Sequence, residues 1–288
     1  MWVKQRGSDI GYKLILATYK IIGYQGAKVI IWFVSLFYAT ITKKEREAMR
    51  DYYQRVGVSY SFWYYFSHIN QFALSIFDRF VTKLDPDIFE IDRTNRDKFL
   101  QKNKRESRIV ALAHLGNWAN TFVAFRYENH TINIITNEKL KKSIANYEKS
   151  LKYQHSSSVK TINLQEGLNA TLQIVGAFKR GEDVAIMVDR LVDTNKFVEV
   201  DFLNSITKFN RNPFEIAYNR GVPIIGVTVI RTGDKKYKLF FSDPIIVNKS
   251  IKKEKAIAIM ANQYAKYLEN IVKEYPKQWF NFYKFWEN

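Results

Sequence analysis

A regular alternation of short apolar runs and longer amphipathic stretches constrains the fold of this chain most. The apolar runs lie at residues 107–113, 131–136, 159–163 and 183–188, and apolar residues recur with helical spacing in the stretches between them. Strands that alternate with helices of this length form parallel sheets whose two faces are covered by the helices. The sequence therefore predicts the α/β class, with a mostly parallel central sheet flanked by helices.

The first 82 residues lie outside this alternation and have a helical pattern. Residues 10–42 are rich in Leu, Ile, Val, Phe, Tyr and Trp, and residues 43–81 continue as a second, aromatic-rich helical stretch. The helix breaker Pro86 follows. We predict two parts, an N-terminal amphipathic and hydrophobic helical module over residues 1–82 and an α/β domain over residues 83–288.

The N-terminal stretch has the composition of a membrane anchor. Lys13, Lys20 and Lys28 interrupt it, and its longest run without a charged residue is 29–42. At about 1.5 Å per residue that run is roughly 21 Å long as a helix, whereas the hydrocarbon core of a bilayer is about 30 Å thick. We therefore expect residues 1–82 to anchor the chain through a helix in the membrane interface, with its lysines reaching the headgroups. A core helix packed on the main domain is the alternative.

The charge balance points to an anionic partner. The chain has 45 Lys and Arg against 28 Asp and Glu, which gives a net charge of +17 and a pI near 9.7. No zinc-finger, RNP or helix-turn-helix signature accompanies the basic residues, and Lys139, Lys141 and Lys142 form only a short cluster. We therefore expect no nucleic-acid partner. An anionic membrane surface or an acidic protein fits the composition better.

Two residue types limit the chemistry. The chain has no cysteine, which excludes disulfides, thiolate metal sites and cysteine nucleophiles. Its four histidines show no metal-binding spacing such as HExxH, so no metal site is expected. These histidines are His68, His114, His130 and His155.

One histidine stands where α/β folds often bind ligands. Residues 109–120 read IVALAHLGNWAN, an apolar strand followed by His114, a Gly-Asn turn and the start of an amphipathic stretch. His114 would lie at the carboxyl end of a parallel strand, which is the edge where open α/β sheets bind their ligands. A single histidine beside an apolar run is more often a hydrogen-bonded core residue than a catalyst. The interpretation of His114 therefore depends on the rest of the chain.

Residues 111–120 (ALAHLGNWAN) resemble the HLGNWE-type block of the lysophospholipid acyltransferase superfamily, in the branch of the lipid A biosynthesis (lauroyl/myristoyl) acyltransferases. Further segments are similar to other blocks of that family and follow in the same order. They are 186–190 (IMVDR), 198–204 (VEVDFLN), 211–214 (RNPF), 221–225 (GVPII) and 278–286 (QWFNFYKFW). A single short motif is weak, whereas a series of motifs in the right order is specific.

The resemblance implies transfer of a fatty acyl chain from a thioester, acyl-ACP or acyl-CoA, to a hydroxyl or amine of a lipid or glycolipid. It implies no other cofactor. The partners would be acyl carrier protein, a membrane lipid acceptor and the anionic membrane surface. The location would be the cytoplasmic face of the bacterial inner membrane, with peripheral or monotopic attachment. Acyl carrier protein is strongly acidic, so a net charge of +17 suits it.

The catalytic pair of the family is a histidine with an acid five residues later, and the resemblance makes His114 the general base. Ala119 occupies the acid position. By analogy with the serine-protease triad, loss of the orienting carboxylate costs about 10⁴ in rate, or ~5.5 kcal/mol. We therefore expect the chain with alanine at position 119 to be impaired, and three interpretations of Ala119 stay open. They are an engineered replacement of Asp or Glu, a natural variant that uses another acid or His114 alone, and a non-catalytic lipid- or carrier-binding protein of the same fold.

Five further residues are candidate substrate contacts. Asn117 and Trp118 are expected to shape the turn and to wall the pocket, and the backbone amides from Gly116 to Trp118 could stabilise the oxyanion. The resemblance places Asp189 and Arg190 directly after a strand, where Arg190 could bind phosphate or the pantetheine arm of the donor. The alternative for this last pair is structural, hydrogen bonding to carbonyls at the strand end.

Overall fold

The computed structural model describes residues 9–85, 87–96, 107–118, 120–121, 131–136, 159–191 and 193–287. Ala119, the lysine cluster at 139–142 and most of the helical stretches expected between residues 93 and 153 lie outside the described residues.

Helices and strands are numbered in chain order. The described helices are α1 (Asp9–Ile41), α2 (Lys43–Arg55), α3 (Phe62–Leu84), α4 (Leu168–Lys179), α5 (Asn212–Arg220) and α6 (Lys253–Glu274). The described strands are β1 (Glu90–Asp92), β2 (Ile109–Leu112), β3 (Ile132–Thr136), β4 (Val159–Asn163), β5 (Asp183–Met187), β6 (Phe197–Asp201), β7 (Ile206–Asn210), β8 (Ile224–Gly233) and β9 (Lys236–Phe241). Short 3-10 turns lie at Leu164–Glu166, Pro276–Gln278 and Phe285–Glu287.

Seven of these strands form one sheet, in the order β1-β9-β8-β2-β5-β3-β4. Neighbouring strands are parallel, except that β8 and β9 form an antiparallel hairpin. β6 and β7 pair with each other in a separate antiparallel ladder. The predicted α/β class with a mostly parallel sheet is confirmed.

The centre of the sheet is buried on both faces. In β2, Ile109 and Ala111 belong to the hydrophobic core on the side of α4, α5 and α6, whereas Val110 and Leu112 belong to the core on the side of α1 and the later turns of α3. Successive side chains of a strand point to opposite faces, so four buried apolar residues in a row require cover on both sides. This strand carries the chain directly to His114.

The helical stretch that we predicted over residues 43–81 is two helices. α2 ends at Arg55, and Gly57 adopts a φ of +73°, the left-handed conformation that commonly follows a helix. Ser61 then caps α3, and its hydroxyl oxygen accepts a hydrogen bond from the amide of Tyr64 at 3.0 Å. The prediction of one helix was wrong because Val56 and Val58 continue the apolar pattern and hide the break.

α1 has apolar residues on two faces. Tyr24, Ala27 and Ile31 are buried in the same core as the later turns of α3 and the strands. Phe33 and Phe37 are 61% and 59% exposed. α1 therefore presents one apolar face to the core and another to the surface of the described structure.

α1 is also longer than the charge-free run of residues 29–42 suggested, because helical backbone extends back through Lys28 and, beyond a kink at Gly23 where φ is +71°, through Lys20. Leu16–Ile41 is the one helix among the described residues whose length and composition would let it cross a membrane. This helix is therefore a candidate membrane anchor. The boundary that we placed at residue 82 stays a prediction.

A buried charged cluster attaches α1 and α3 to the β8–β9 hairpin. Asp78 of α3 accepts hydrogen bonds from Tyr24 of α1, at 2.7 Å, and from Tyr237 of β9. The Nε atom of Arg231 in β8 lies 3.4 Å from the same carboxylate, which is fully buried. A carboxylate removed from water is tolerated only with such partners. The cluster therefore fixes both helices on the sheet.

We predict that Asp78→Ala lowers the free energy of unfolding by roughly 3–5 kcal/mol, because it leaves Arg231 and two tyrosine hydroxyls without their buried acceptor. Urea unfolding of the detergent-solubilised protein measures the change. Glu90→Ala is the control, since Glu90 pairs with Lys236 at the exposed surface, and it should cost less than about 1 kcal/mol. Equal losses in the two variants would contradict the structural role given to the cluster.

Candidate active site

His114 lies just beyond β2 in a tightly held loop. Gly116 has a φ of +61°, and a Cβ atom built on it would lie 2.1 Å from the carbonyl oxygen of Val229. The amide of Asn117 donates to that same oxygen at 2.7 Å. Only glycine can bring the loop this close to β8 in this conformation. The Gly-Asn turn therefore fixes where the histidine leaves the sheet.

The backbone amides of this turn are already used. Gly116 donates to the carbonyl of Gln278 at 2.8 Å, and Asn117 donates to the carbonyl of Val229. Our expectation that these amides would stabilise an oxyanion is therefore wrong for Gly116 and Asn117. We interpreted the turn as the start of a helix with unbonded amides, whereas these amides donate to carbonyls in two other parts of the chain.

Asp189 is the acid that the structure brings to His114. β2 and β5 are parallel neighbours in which Leu112 pairs with Met187. Counting two residues onward from each places His114 beside Asp189. The Nδ1 atom of the imidazole lies 2.8 Å from Oδ1 of Asp189, and the amide of His114 donates to Oδ2 at 2.9 Å. We expected Asp189 among the substrate contacts, but its side chain is fully buried and is bonded to His114.

The electrostatics keep this carboxylate charged. Burial raises the pKa of Asp189, but the charge and hydrogen bonds of His114 together with the charge of Arg190 outweigh it and lower the pKa to about 2. An ionised carboxylate only accepts hydrogen bonds, so Nδ1 of His114 carries a hydrogen. In the neutral imidazole Nε2 is then the basic atom.

Two residues near the chain's end also donate to Asp189. Nε1 of Trp279 donates to Oδ2 at 3.1 Å, and Nδ2 of Asn281 donates to the same oxygen at 2.7 Å. Sequence reasoning missed both as site residues. The available signal was the segment 278–286, which resembled a family block to which we attached no role. An amide and an indole within an aromatic run are polar groups that need partners when buried.

The guanidinium of Arg190 makes hydrogen bonds to the same segment of the chain. Its Nε donates to Oδ1 of Asn281 at 2.7 Å, and a terminal nitrogen donates to the carbonyl of Phe280 at 2.9 Å. The ring of Tyr283 lies 5.9 Å from the guanidinium carbon. The carbonyl that Arg190 bonds belongs to this distant segment and not to the strand end that the structural alternative named, and a phosphate or pantetheine contact stays a prediction.

Trp118 joins the imidazole of His114 to a cluster of aromatic rings. The ring of Trp118 lies 5.5 Å from that of His114 and is stacked at 6.3 Å on Phe72 of α3. Phe280 lies 5.7 Å from Trp118 on another side. Trp118 therefore lies beside His114, and its role as a wall of the substrate pocket stays a prediction. Asn117 is buried, its Nδ2 donates to the hydroxyl of Tyr237 at 3.4 Å, and its Oδ1 accepts no hydrogen bond from any described residue.

A second histidine, His68, makes a hydrogen bond to the segment that carries Trp279. Nε2 of His68 lies 3.0 Å from the carbonyl of Trp279, and the hydroxyl of Tyr53 lies 3.0 Å from Nδ1. Burial lowers the pKa of His68 to about 3, although the bond to the carbonyl of Trp279 opposes the shift. His68 is therefore a neutral residue that holds Trp279 in place. Among the described residues, no group of three or more His, Cys, Asp or Glu could hold a metal ion.

His68 should make the stability depend on pH. Its pKa is lower in the folded protein than in the unfolded chain, so the unfolded chain binds a proton first as the pH falls below about 6.5. The stability contribution is complete above that pH and decreases down to about pH 3. We predict a loss of about 3 kcal/mol between pH 6.5 and pH 4 that is absent in His68→Gln, measured by urea unfolding. Parallel pH profiles in the two proteins would refute this role.

Comparisons with known proteins agree with the motifs. No curated protein sequence matches the chain significantly. The chain is similar to the crystal structure of the 1-acyl-sn-glycerophosphate (LPA) acyltransferase PlsC from Thermotoga maritima. The two sequences are 15% identical, the match covers 93% of this chain and 94% of that one, and the TM-score is 0.38. The family described as bacterial lipid A biosynthesis acyltransferase matches residues 82–288, more than half of the chain. The resemblance is thereby confirmed, and the chain belongs to the bacterial lipid A biosynthesis acyltransferases.

Proposed function

We propose that this protein transfers a fatty acyl chain from acyl carrier protein to a hydroxyl or amine of a membrane lipid or glycolipid, with His114 as the general base. The observation that carries the proposal is the 2.8 Å contact between Nδ1 of His114 and the buried, ionised Asp189. Family membership supports the reaction class. The net charge of +17 supports an acidic protein as the donor, and acyl-CoA is the alternative donor.

The pair suits acyl transfer because an acceptor hydroxyl is a weak nucleophile until its proton leaves. Nε2 of His114 takes that proton while the acceptor oxygen attacks the thioester carbonyl. The new oxygen–carbon bond forms, the carbon–sulfur bond breaks, and the proton passes from the imidazolium to the leaving thiolate. Asp189 holds the tautomer with hydrogen on Nδ1 and stabilises the imidazolium as it forms.

This arrangement bears on Ala119. Asp189 offers His114 the orienting carboxylate that the family pattern places five residues after the histidine. It therefore supports the interpretation of a natural variant that uses another acid. Under this proposal the protein is active with alanine at position 119, and an added Ala119→Glu change is not required for turnover.

We predict that Asp189→Asn lowers kcat by roughly 10³–10⁴-fold, because the amide no longer fixes the tautomer or offsets the imidazolium charge. The assay is transfer from long-chain acyl carrier protein to a membrane lipid extract, followed by mass spectrometry. Asp234→Asn is the matched control, since Asp234 pairs with Lys28 at the surface and should keep activity within about twofold.

The controls also separate the rival functions. An Asp189→Asn protein with near-normal kcat would remove Asp189 from the mechanism. If the unaltered protein and Ala119→Glu both bind lipid yet transfer no acyl chain while folded, the protein is a non-catalytic binding protein. Activity in Ala119→Glu alone would identify position 119 as the site of a lost acid.

We further propose that the exposed face of α1 lies in the cytoplasmic leaflet of the bacterial inner membrane, where acyl carrier protein is present. Phe33 and Phe37 supply apolar surface, and the exposed Lys43 and Lys44 follow at the end of the helix. Basic side chains at the rim of an apolar face suit an anionic bilayer. Attachment would then be peripheral or monotopic.

We predict that the double variant Phe33→Asp/Phe37→Asp reduces co-sedimentation with phosphatidylglycerol-containing vesicles by more than tenfold, because burial of each phenylalanine contributes about 1.5–3 kcal/mol. Leu168→Asp/Leu172→Asp is the matched control. These leucines are 74% and 59% exposed on α4, which makes them comparable in exposure. Equal loss of vesicle binding in both double variants would rule out α1 as the attachment site.

A further inference from the structure

The segment 278–281 passes through the site although it lies far along the chain from His114. The carbonyl of Gln278 accepts from the amide of Gly116 at 2.8 Å, and the amide of Phe280 donates to the carbonyl of His114 at 2.7 Å. Residues Leu115 and Trp279 form an isolated antiparallel bridge between these contacts. The segment therefore acts as a short extra strand along the histidine loop.

This segment determines how the two oxygens of Asp189 are used. Oδ2 accepts three hydrogen bonds, from the amide of His114, from Nε1 of Trp279 and from Nδ2 of Asn281. The described partner of Oδ1 is the imidazole of His114. A carboxylate oxygen that already accepts three bonds has little remaining acceptor capacity. Oδ1 is therefore directed to the imidazole.

Asn281 has two further properties that suit this task. Its side chain is buried, with an exposure of 2%, and both ends of its amide are bonded. Nδ2 donates to Asp189, while Oδ1 accepts from Nε of Arg190, each at 2.7 Å. The amide thus stands between an anion and a cation and satisfies both. Among the described residues, the ion pairs include none that joins Asp189 directly to Arg190.

We propose that Asn281 is a positioning residue that sets the basicity of His114, by keeping the guanidinium of Arg190 off Asp189. This inference deepens the proposed function and rests on it for its catalytic meaning. A guanidinium in direct contact with Asp189 would place a positive charge beside the pair and disfavour the imidazolium. With the amide between them, the negative charge of Asp189 is directed to His114 instead.

The test uses histidine-selective ¹⁵N NMR titration of the full chain in detergent, which needs no turnover. The chain has only four histidines, and the buried His68 serves as an internal indicator of folding. In Asn281→Ala we expect the pKa of His114 to fall by about one unit or more, since Arg190 can then reach Asp189. The added Arg190→Met change should reverse that fall.

Asn133→Ala is the matched control. Asn133 is also an asparagine with 2% exposure, and its Nδ2 is bonded to Glu182 and to the carbonyl of Asp183, away from His114. It should lose stability without changing the titration of His114. If the pKa of His114 is the same in Asn281→Ala as in Asn133→Ala, Asn281 is only a structural residue and the proposal is overturned.

A second variant keeps the test decisive where Asn281→Ala fails to fold. Asn281→Leu keeps the approximate volume of the side chain but removes both the acceptor for Arg190 and the donor to Asp189. The pKa of His114 should again fall by about one unit, because Arg190 can reach Asp189. An unchanged pKa would overturn the proposal. If the unaltered protein shows no acyl transfer but the variants show these pKa shifts of His114, the proposed function is wrong and the positioning role of Asn281 stands.

Discussion

The carboxylate of Asp189 is the charge around which the site is built. Transfer of an isolated carboxylate from water into a protein interior costs several kcal/mol even after relaxation, and this side chain is fully buried. Two hydrogen bonds from His114, one from Trp279 and one from Asn281 offset that cost. These donors belong to separate parts of the chain that only folding brings together. The charged carboxylate therefore depends on the folded sheet.

The parallel sheet supplies the first half of this arrangement. Because β2 and β5 are neighbours and Leu112 pairs with Met187, His114 and Asp189 leave the same edge together. The cluster around Asp78 supplies the support behind them, since it fixes α3 and the β8–β9 hairpin against which the Gly116 turn is packed. The two buried carboxylates therefore have different tasks, one in the scaffold and one at the site.

Local patterns in the sequence predicted the parts of the structure that depend on local chemistry. The apolar runs placed the ends of β2 and β5 within two residues, and the Gly-Asn turn placed His114 at a strand end. The acid was not found, because Asp189 lies 75 residues from His114 and only the order of strands brings them together. The donors Trp279 and Asn281 were missed for the same reason. The amides of Gly116 and Asn117 were misassigned because their partners, Gln278 and Val229, lie even further along the sequence.

The position of the segment 278–281 in the chain has a consequence for the order of biosynthesis. A ribosome that has just added Asp189 has made both members of the pair, but not Trp279 or Asn281. At 5–20 residues per second, the roughly 90 residues from Asp189 to Asn281 take roughly 5–20 s. During that interval the carboxylate of Asp189 lacks the donors Trp279 and Asn281, so the site is complete only after this late segment has been added.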